Sequence, residues 1–422
     1  MARTLVSPAP AQADQTHRKH AELTYDVLSG ISFGHLIVRD PDGVTHEFGT
    51  AQTEPHATMV IRNWQFYARV LTYGSLGLGE SYMDGWWAVE DDRLCECIGI
   101  FLKNDVEKAL WKNPLLISRM LYHYIATKPI NSFRSKSNVH HHYDLSNQFF
   151  RLMLGPSMTY SCGVLEQTTN AMQNTLEAIQ ARKYDLVCRK LQLQPGDRLL
   201  DIGCGWGGLL FHAARYYGVQ ATGITLSSNQ AEWIRARIQN QKWSRLVRVE
   251  EKDYREAEGT YDAVASIGMF EHVGDAQYGT FMQKVAALLK PDGKGLLHTI
   301  GWQKRTWASV QDAWMSTYIF PGGHLPSLDR ITAEMQKAEF LIGHIENFKP
   351  HYAETLRLWK RNVDANRQNI EKLDAHFDTR FFRMWDYYLQ ACDAGFRYGR
   401  LQLYQILFSS GRQWAFPQRF HY

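Results

Sequence analysis

Cysteine is scarce in this chain. Six are present among 422 residues, at positions 95, 97, 162, 188, 204 and 392, and no C-x-x-C pair occurs. That excludes a disulfide scaffold and a paired-thiol zinc site, and leaves reduced thiols in a cytoplasmic protein as the expectation. Cys95 and Cys97 read as neighbours on a helix. Long apolar runs are missing as well. No stretch reaches the about 18 residues that a membrane-spanning helix needs. Residues 1–20 are rich in Ala, Pro, Gln and His and lack the apolar stretch of a secretory signal, so they are expected to form a disordered tail. An excess of one charge is also absent. Lys and Arg number 47 against 43 Asp and Glu, a net charge of +4. That is too little for a nucleic-acid binder, but it suits an anionic membrane surface.

Aromatic residues, by contrast, are abundant, at 13% of the chain with 13 Trp and 21 Tyr. They can fill a core or line a cleft. The length suggests two domains. Between residues 31 and 61 the pattern is strand, Asp40-Pro-Asp-Gly43 turn, strand, then a third strand. A helix from Trp64 to Tyr73 is expected to break at Gly74, Gly77 and Gly79, and further helices cover Arg93–Leu102 and Pro114–Ile125. The segment Leu115–Ile125 is amphipathic, suited to a core or to a lipid surface. Lys128 to Ser137 is basic and linker-like. The expected organisation is a tail at 1–20, an N-terminal membrane- and dimer-associated domain at 21–127, a linker at 128–139 and a catalytic domain at 140–422. In that last part strands are expected at 198–203, 219–225, 246–251, 261–267, 293–300, 340–348 and 400–408. Helices are expected at 207–217, 227–241 and 276–289. The alternation predicts an α/β fold with a mostly parallel, doubly wound sheet.

The segment Leu199-Leu-Asp-Ile-Gly-Cys-Gly-Trp-Gly-Gly208 closes one of those strands. An apolar run ends in Asp, and glycines follow at alternate positions before a helix. Glycines there permit a sharp turn and the close approach of a ligand to the backbone. No Lys-Ser/Thr follows, which excludes a triphosphate-binding loop. The D-x-G-x-G-x-G spacing resembles motif I of the class I S-adenosylmethionine (SAM)-dependent methyltransferases.

Further segments stand in order around it: Gly77-Leu-Gly-Glu-Ser-Tyr-Met-Asp-Gly-Trp86, His142-Tyr-Asp-Leu-Ser-Asn147, Tyr160-Ser-Cys-Gly163, Gly223–Gln230, Gly268–Gly274, Leu297–Gly301, Tyr318–Gly322 and Tyr387–Cys392. From about residue 60 to the end, this set closely resembles the cyclopropane-fatty-acyl-phospholipid and mycolic-acid cyclopropane synthases. The fold implied is a class I methyltransferase sheet preceded by a smaller mixed, mainly helical domain. The activity implied is transfer of a methylene from SAM to the cis double bond of an acyl chain in a membrane phospholipid. It would run through a carbocation deprotonated by bound bicarbonate and form a cyclopropane ring.

By this resemblance Tyr160, Ser161, Gly203 and Gly205 hold the methionine end of SAM. Thr225 and Gln230 stand where most methyltransferases carry an acidic residue for the ribose. Asp253 reads either as a contact to the adenine amino group, with Tyr254 beside the ring, or as an ordinary loop aspartate. The resemblance assigns the bicarbonate site to Cys162, Glu271, His298, Ile300 and Tyr352. In it, His298 and Tyr352 donate to the anion, Cys162 and Ile300 offer backbone groups, and Glu271 accepts the bicarbonate proton or orients His298. Such chemistry needs a water-free cleft with aromatic walls, because a carbocation is trapped by water and stabilised by electron-rich faces. Cys392 is a candidate near the lipid pocket, read as structural because no basic neighbour precedes Arg397 to activate its thiol. His140, His141 and His142 are adjacent on a linker and cannot all face one ion, so no metal is expected.

The partners implied are an unsaturated membrane phospholipid and an anionic membrane surface at the inner membrane face, with a homodimer and no nucleic acid. Lys103, Lys108, Lys112, Arg119, Lys128, Arg134 and Lys136 are the candidate surface contacts. Three readings compete: a SAM enzyme that leaves a methyl or methylene branch, a non-catalytic lipid-binding protein, and a small-molecule O- or N-methyltransferase.

Overall fold

The structure is a computed structural model that describes residues 15–110, 145–166, 174–303, 312–411 and 416. The amphipathic segment 115–125, the linker, the three histidines and the basic residues at 112, 119, 128, 134 and 136 lie outside the described residues. The chain divides into two compact units. One holds Met1–Thr127 with Asp312–Ile319 and Ala375–Gly399, and the other holds Lys128–Gln311, Phe320–Asp374 and Arg400–Tyr422. A single linear cut therefore does not describe the chain, since two segments from beyond residue 300 return to the first unit.

The first unit contains a sheet of β1 (His35–Arg39), β2 (Thr45–Gly49), β3 (His56–Ile61) and β4 (Trp87–Val89), in the order β2-β1-β3-β4. The expected turn closes the β1–β2 hairpin, with the Gly43 amide donating to the Asp40 carbonyl at 2.9 Å. Its helices are α1 (Gln15–Leu28), α2 (Gln65–Met83), α3 (Leu94–Lys103) and α4 (Val106–Leu110). The start of α1 lies inside the segment expected to be disordered. Ala21, Thr24 and Leu28 recur on one face and are buried, a spacing that the polar composition conceals. Gly74 does interrupt α2, at φ 56° and ψ −131°, but the helix resumes through Gly77 and Gly79. A Cβ at Gly79 would lie 2.4 Å from the Trp314 ring, so this glycine serves close packing rather than termination.

The second unit contains α5 (Asn147–Leu154), α6 (Leu176–Leu191), β5 (Arg198–Ile202), α7 (Gly208–Tyr217), β6 (Gln220–Thr225), α8 (Ser228–Gln241), β7 (Val247–Glu251), β8 (Tyr261–Ile267), α9 (Tyr278–Leu288) and β9 (Leu289–Trp302). After these, α10 (Ala313–Tyr318) belongs to the first unit. Next come α11 (Leu328–Lys337), β10 (Leu341–Asn347), α12 (Lys349–Ala365) and α13 (Arg367–Glu371) in the second. Helix α14 (Thr379–Arg397) is again in the first unit, and β11 (Leu401–Ser409) returns to the second.

The seven-stranded sheet has the order β10-β11-β9-β8-β5-β6-β7. Neighbours from β7 to β9 pair in parallel, and β11 runs antiparallel to both β9 and β10. Alternate side chains on each strand enter opposite layers. Leu199, Ala221, Ala263, Ala265, Leu296 and Leu407 pack with α6, α7 and α8. Leu200, Ile202, Ile224, Val264, Leu297 and Ile406 pack with α9 and α11. Both faces are buried, which explains the near-continuous apolar runs. Chain order reverses between β5 and β8, and ligands of such sheets bind at that crevice, outside the carboxyl ends of the strands.

Candidate active site

Strand β5 delivers the glycine loop to that crevice. Gly203 and Gly205 take φ of +83° and +54°, which a side chain would strain. Among the described residues a Cβ at Gly205 would meet nothing within 4 Å, which leaves a side of the loop where a ligand can lie on the backbone. Asp201 precedes the loop, buried, and its Oδ1 has no hydrogen-bond partner among the described residues.

Helix α6 lays two buried lysines and a glutamine beneath this region. Lys183 Nζ donates to Ser161 Oγ at 2.8 Å, and Gln180 Nε2 donates to the Ser161 carbonyl at 2.8 Å. The Tyr160–Cys162 segment is thereby fixed to the helix. Burial pushes the Asp201 carboxyl up and the Lys183 ammonium down, and each group's charge opposes the other's shift.

Thr225 and Gln230 lie in contact. The Thr225 hydroxyl donates to Gln230 Oε1 at 2.7 Å, and both are buried at the carboxyl end of β6. Asp253 is engaged elsewhere. Its Oδ1 accepts from the Arg255 amide at 2.9 Å and its Oδ2 from the Arg255 guanidinium at 2.6 Å. Tyr254 packs edge-on to Phe281.

Glu271 lies in the turn after β8, and His298 lies within β9 near its carboxyl end. The register sets Ile267 beside His298, and the Gly268 amide donates to the His298 carbonyl at 2.9 Å. Glu271 Oε1 accepts from the Ile300 amide at 2.7 Å, while Oε2 is buried with no hydrogen-bond partner among the described residues. Burial raises the carboxyl to about 7. The Ile300 N–H is thus bonded to Glu271, a contact that sequence alone does not show because the carboxylate lies in the turn after β8 and the amide lies on β9. His298 is 1% exposed; its Nδ1 meets Gln405 Nε2 at 3.0 Å, and its Nε2 has no hydrogen-bond partner among the described residues. Burial holds the imidazole well below its ordinary pKa, reinforced by Lys183 and Lys190, so the ring is neutral.

Cys162 is fully buried, and its thiol donates to the Gly163 carbonyl at 3.0 Å. Burial raises this thiol, so it stays protonated. The Gly163 amide donates to Thr355 Oγ1 at 3.1 Å, and the Leu165 amide donates to His351 Nδ1 at 2.9 Å. These bonds dock the 160–165 segment on the first turns of α12, which also carry Tyr352. The Phe348 ring before that helix lies 6.5 Å from His298. An aromatic array runs from Trp206 through Phe150, Tyr160 and Trp359 to Tyr352, with centroid separations of 4.9, 5.5, 5.1 and 6.1 Å.

Cys392 lies on α14 in the first unit, and Asp312, Asp393 and above all burial raise its thiol. Arg397, the one nearby cation named from the sequence, is bonded to Asp393 at 2.5 Å. Lys183, Lys190, Gln180, Gln405 and Thr355 were not singled out in the sequence. One signal was present: Lys183 and Lys190 fall at the inward positions that Ile179, Val187 and Leu191 define on α6.

A sheet of this order with a glycine loop at its reversal defines a class I SAM-dependent methyltransferase. Residues 131–406 match the family described as mycolic acid cyclopropane synthetase. The chain belongs to that family. It is 40% identical over 358 residues to the cyclopropane-fatty-acyl-phospholipid synthase of Escherichia coli (strain K12), covering 84% of this chain and 88% of that one. It is 33% identical over 367 residues to a tuberculostearic acid methyltransferase of Mycobacterium tuberculosis, covering 85% and 84%. Among solved structures, a mycolic acid cyclopropane synthase complexed with SAH and CTAB superposes with a TM-score of 0.59 at 34% identity, covering 67% of this chain and 99% of that one. No helix among the described residues is long and apolar enough to cross a membrane.

Proposed function

We propose that this protein converts the cis double bond of an unsaturated acyl chain, carried by a membrane phospholipid, into a cyclopropane ring with SAM as the carbon donor. The observation that carries the reading is a pair of buried, unpartnered polar atoms, Glu271 Oε2 and His298 Nε2, at the strand ends beside the glycine loop. Unsatisfied buried groups cost about 1–3 kcal/mol each, so a native pair of them points to a ligand. A hydrogen-bonding anion that both accepts and donates fits them, and bicarbonate is such an anion.

The residues suit both groups. SAM would lie on the open side of Gly205, with Ser161 at its amino-acid end, Asp201 facing its ammonium, and Thr225 and Gln230 at the ribose. Bicarbonate would lie between Glu271, His298 and Tyr352. When bound, the first supplies an electrophilic methyl group and the second a base. The chain's own residues do the rest. His298 donates to an anion, Glu271 accepts a proton from it, and the Ile300 amide holds the Glu271 carboxylate in place. The aromatic faces of Tyr160, Trp359 and Phe150 exclude water and stabilise the positive charge left on the acyl chain after methyl transfer. Loss of a proton from the new methyl group then closes the ring.

The similarity to a tuberculostearic acid methyltransferase supports a second reading, in which the same cation is resolved to a methyl or methylene branch. The proposal also includes a homodimer at an anionic membrane face. Lys103 and Lys108, the two candidate contacts among the described residues, are exposed, although Lys108 is paired with Asp105 at 2.7 Å. Turnover measured in bicarbonate-depleted buffer and after bicarbonate is restored tests the anion site. The proposal requires restoration of activity, and full activity without bicarbonate contradicts it.

A further inference from the structure

Strands β10, β11 and β9 place Glu346, Gln405 and His298 in one cross-strand row. Glu346 is the register partner of Gln405 on one side, and His298 is its partner on the other. Lys190, 2% exposed, enters this row from α6 and donates to Glu346 Oε2 at 2.6 Å and to Gln405 Oε1 at 2.7 Å. Gln405, 1% exposed, brings its Nε2 to 3.0 Å from His298 Nδ1.

These contacts leave one consistent hydrogen-bond pattern. An ammonium only donates, so the Gln405 atom that faces Lys190 is the carbonyl oxygen. The other end of the amide is then NH₂, which also only donates. The imidazole nitrogen facing it must therefore be the bare one. In a neutral imidazole the proton then resides on Nε2, the buried atom with no partner among the described residues. Turning the amide around would set NH₂ against the ammonium and oxygen against His298, and would move the proton to Nδ1. The Glu346 carboxylate keeps Lys190 charged against a burial that lowers its pKa.

We infer that Lys190, acting through the Gln405 amide, fixes His298 as the Nε2–H tautomer and so makes it an obligate donor into the active site. Lys190 and Gln405 are positioning residues, and His298 is the group that meets the anion. The effect on turnover rests on the anion-site reading above, whereas the tautomer itself does not.

The test is ¹⁵N–¹H correlation of the histidine rings in the full-length protein at pH 7.5, with His298 identified by the signals lost in His298→Asn. The inference expects a pyrrole-type shift at Nε2 and a pyridine-type shift at Nδ1. A protonated Nδ1, or an imidazolium, overturns it without touching the anion-site reading. In Gln405→Glu a carboxylate faces Nδ1 and can only accept, so the two shifts exchange and turnover falls about 100-fold, the scale of losing one preorganised donor. Lys190→Met removes the group that orients the amide; His298 then shows both tautomers, and this variant serves if Gln405→Glu does not fold. A parent pattern retained in both variants overturns the inference. Exchanged shifts with undiminished turnover confirm the tautomer control and reject His298 as the anion's donor.

Discussion

The Ile300 amide donates to Glu271 Oε1 at 2.7 Å and leaves Oε2 buried, with no hydrogen-bond partner among the described residues. An acidic group in the turn after β8 is thereby held by the backbone of β9. Glu271→Gln preserves the shape and the bond from Ile300 but removes the proton acceptor. Turnover is expected to fall by more than about 100-fold, as for loss of an acid–base group. SAM affinity, read by calorimetric titration, is expected to hold. Unimpaired turnover rejects the role.

The same variant has a stability signature. Burial raises the Glu271 carboxyl from 4.5 to about 7, so the folded protein binds this proton more tightly than the unfolded chain does. The resulting stability is complete below about pH 4.5 and is lost as pH rises through about 7. Glu271→Gln carries no such loss. Thermal melts should show the variant more stable than the parent at pH 8, by up to about 3 kcal/mol, with the difference shrinking toward pH 4.5. A variant uniformly less stable at every pH contradicts the burial of a raised carboxyl.

Lys183 anchors the segment expected to hold the amino-acid end of SAM. Lys183→Met keeps the stem and removes the bond to Ser161. SAM affinity should weaken by about 10-fold, in line with losing one hydrogen bond to a charged group. Unchanged affinity would show that the 160–162 segment keeps its position without the lysine.

Trp359 stands between Tyr160 and Tyr352 in the aromatic array. Trp359→Phe retains a π face, and Trp359→Leu does not. If the array stabilises a cation by about 1–2 kcal/mol, the leucine variant loses about 5- to 30-fold in kcat beyond the phenylalanine variant. Equal kcat values in two folded variants would assign the array to packing alone.

Cys392 has a thiol raised by burial and by Asp312 and Asp393, and Arg397 is bonded to Asp393. Cys392→Ser is expected to keep more than about half of the turnover. Abolished turnover with an intact fold would make the thiol part of the reaction.

The parallel sheet and its ligand edge were legible because both faces of β5, β6 and β8 are buried, leaving apolar runs that end at the glycine loop. Thr225 and Gln230 were legible as a pair because they bracket one strand end. Other features were not. Lys183 and Lys190 fall in with the inward positions of Ile179, Val187 and Leu191 on α6, but their charge alone reads as solvated until the strands packed against them are known. The hydrogen bond from Gln405 to His298 joins residues that are distant in the sequence and meet only through the register of β9 and β11. Gly77 and Gly79 carry the same letter as a helix breaker, yet at 2.4 Å from Trp314 a Cβ at Gly79 would collide. Nothing local to α10 and α14 announces that they belong with the first unit: Tyr318 donates to Glu80 at 2.9 Å, and Tyr82 donates to Asp386 at 2.7 Å.

Ring formation on the acyl chain is decided by incubating purified protein with SAM and vesicles of a cis-monounsaturated phospholipid and reading the acyl chains by mass and proton NMR. The expected result is the gain of one CH₂ with upfield ring protons. The same mass gain with vinyl or methyl-branch signals contradicts ring closure, and absence of product despite SAM binding contradicts the substrate.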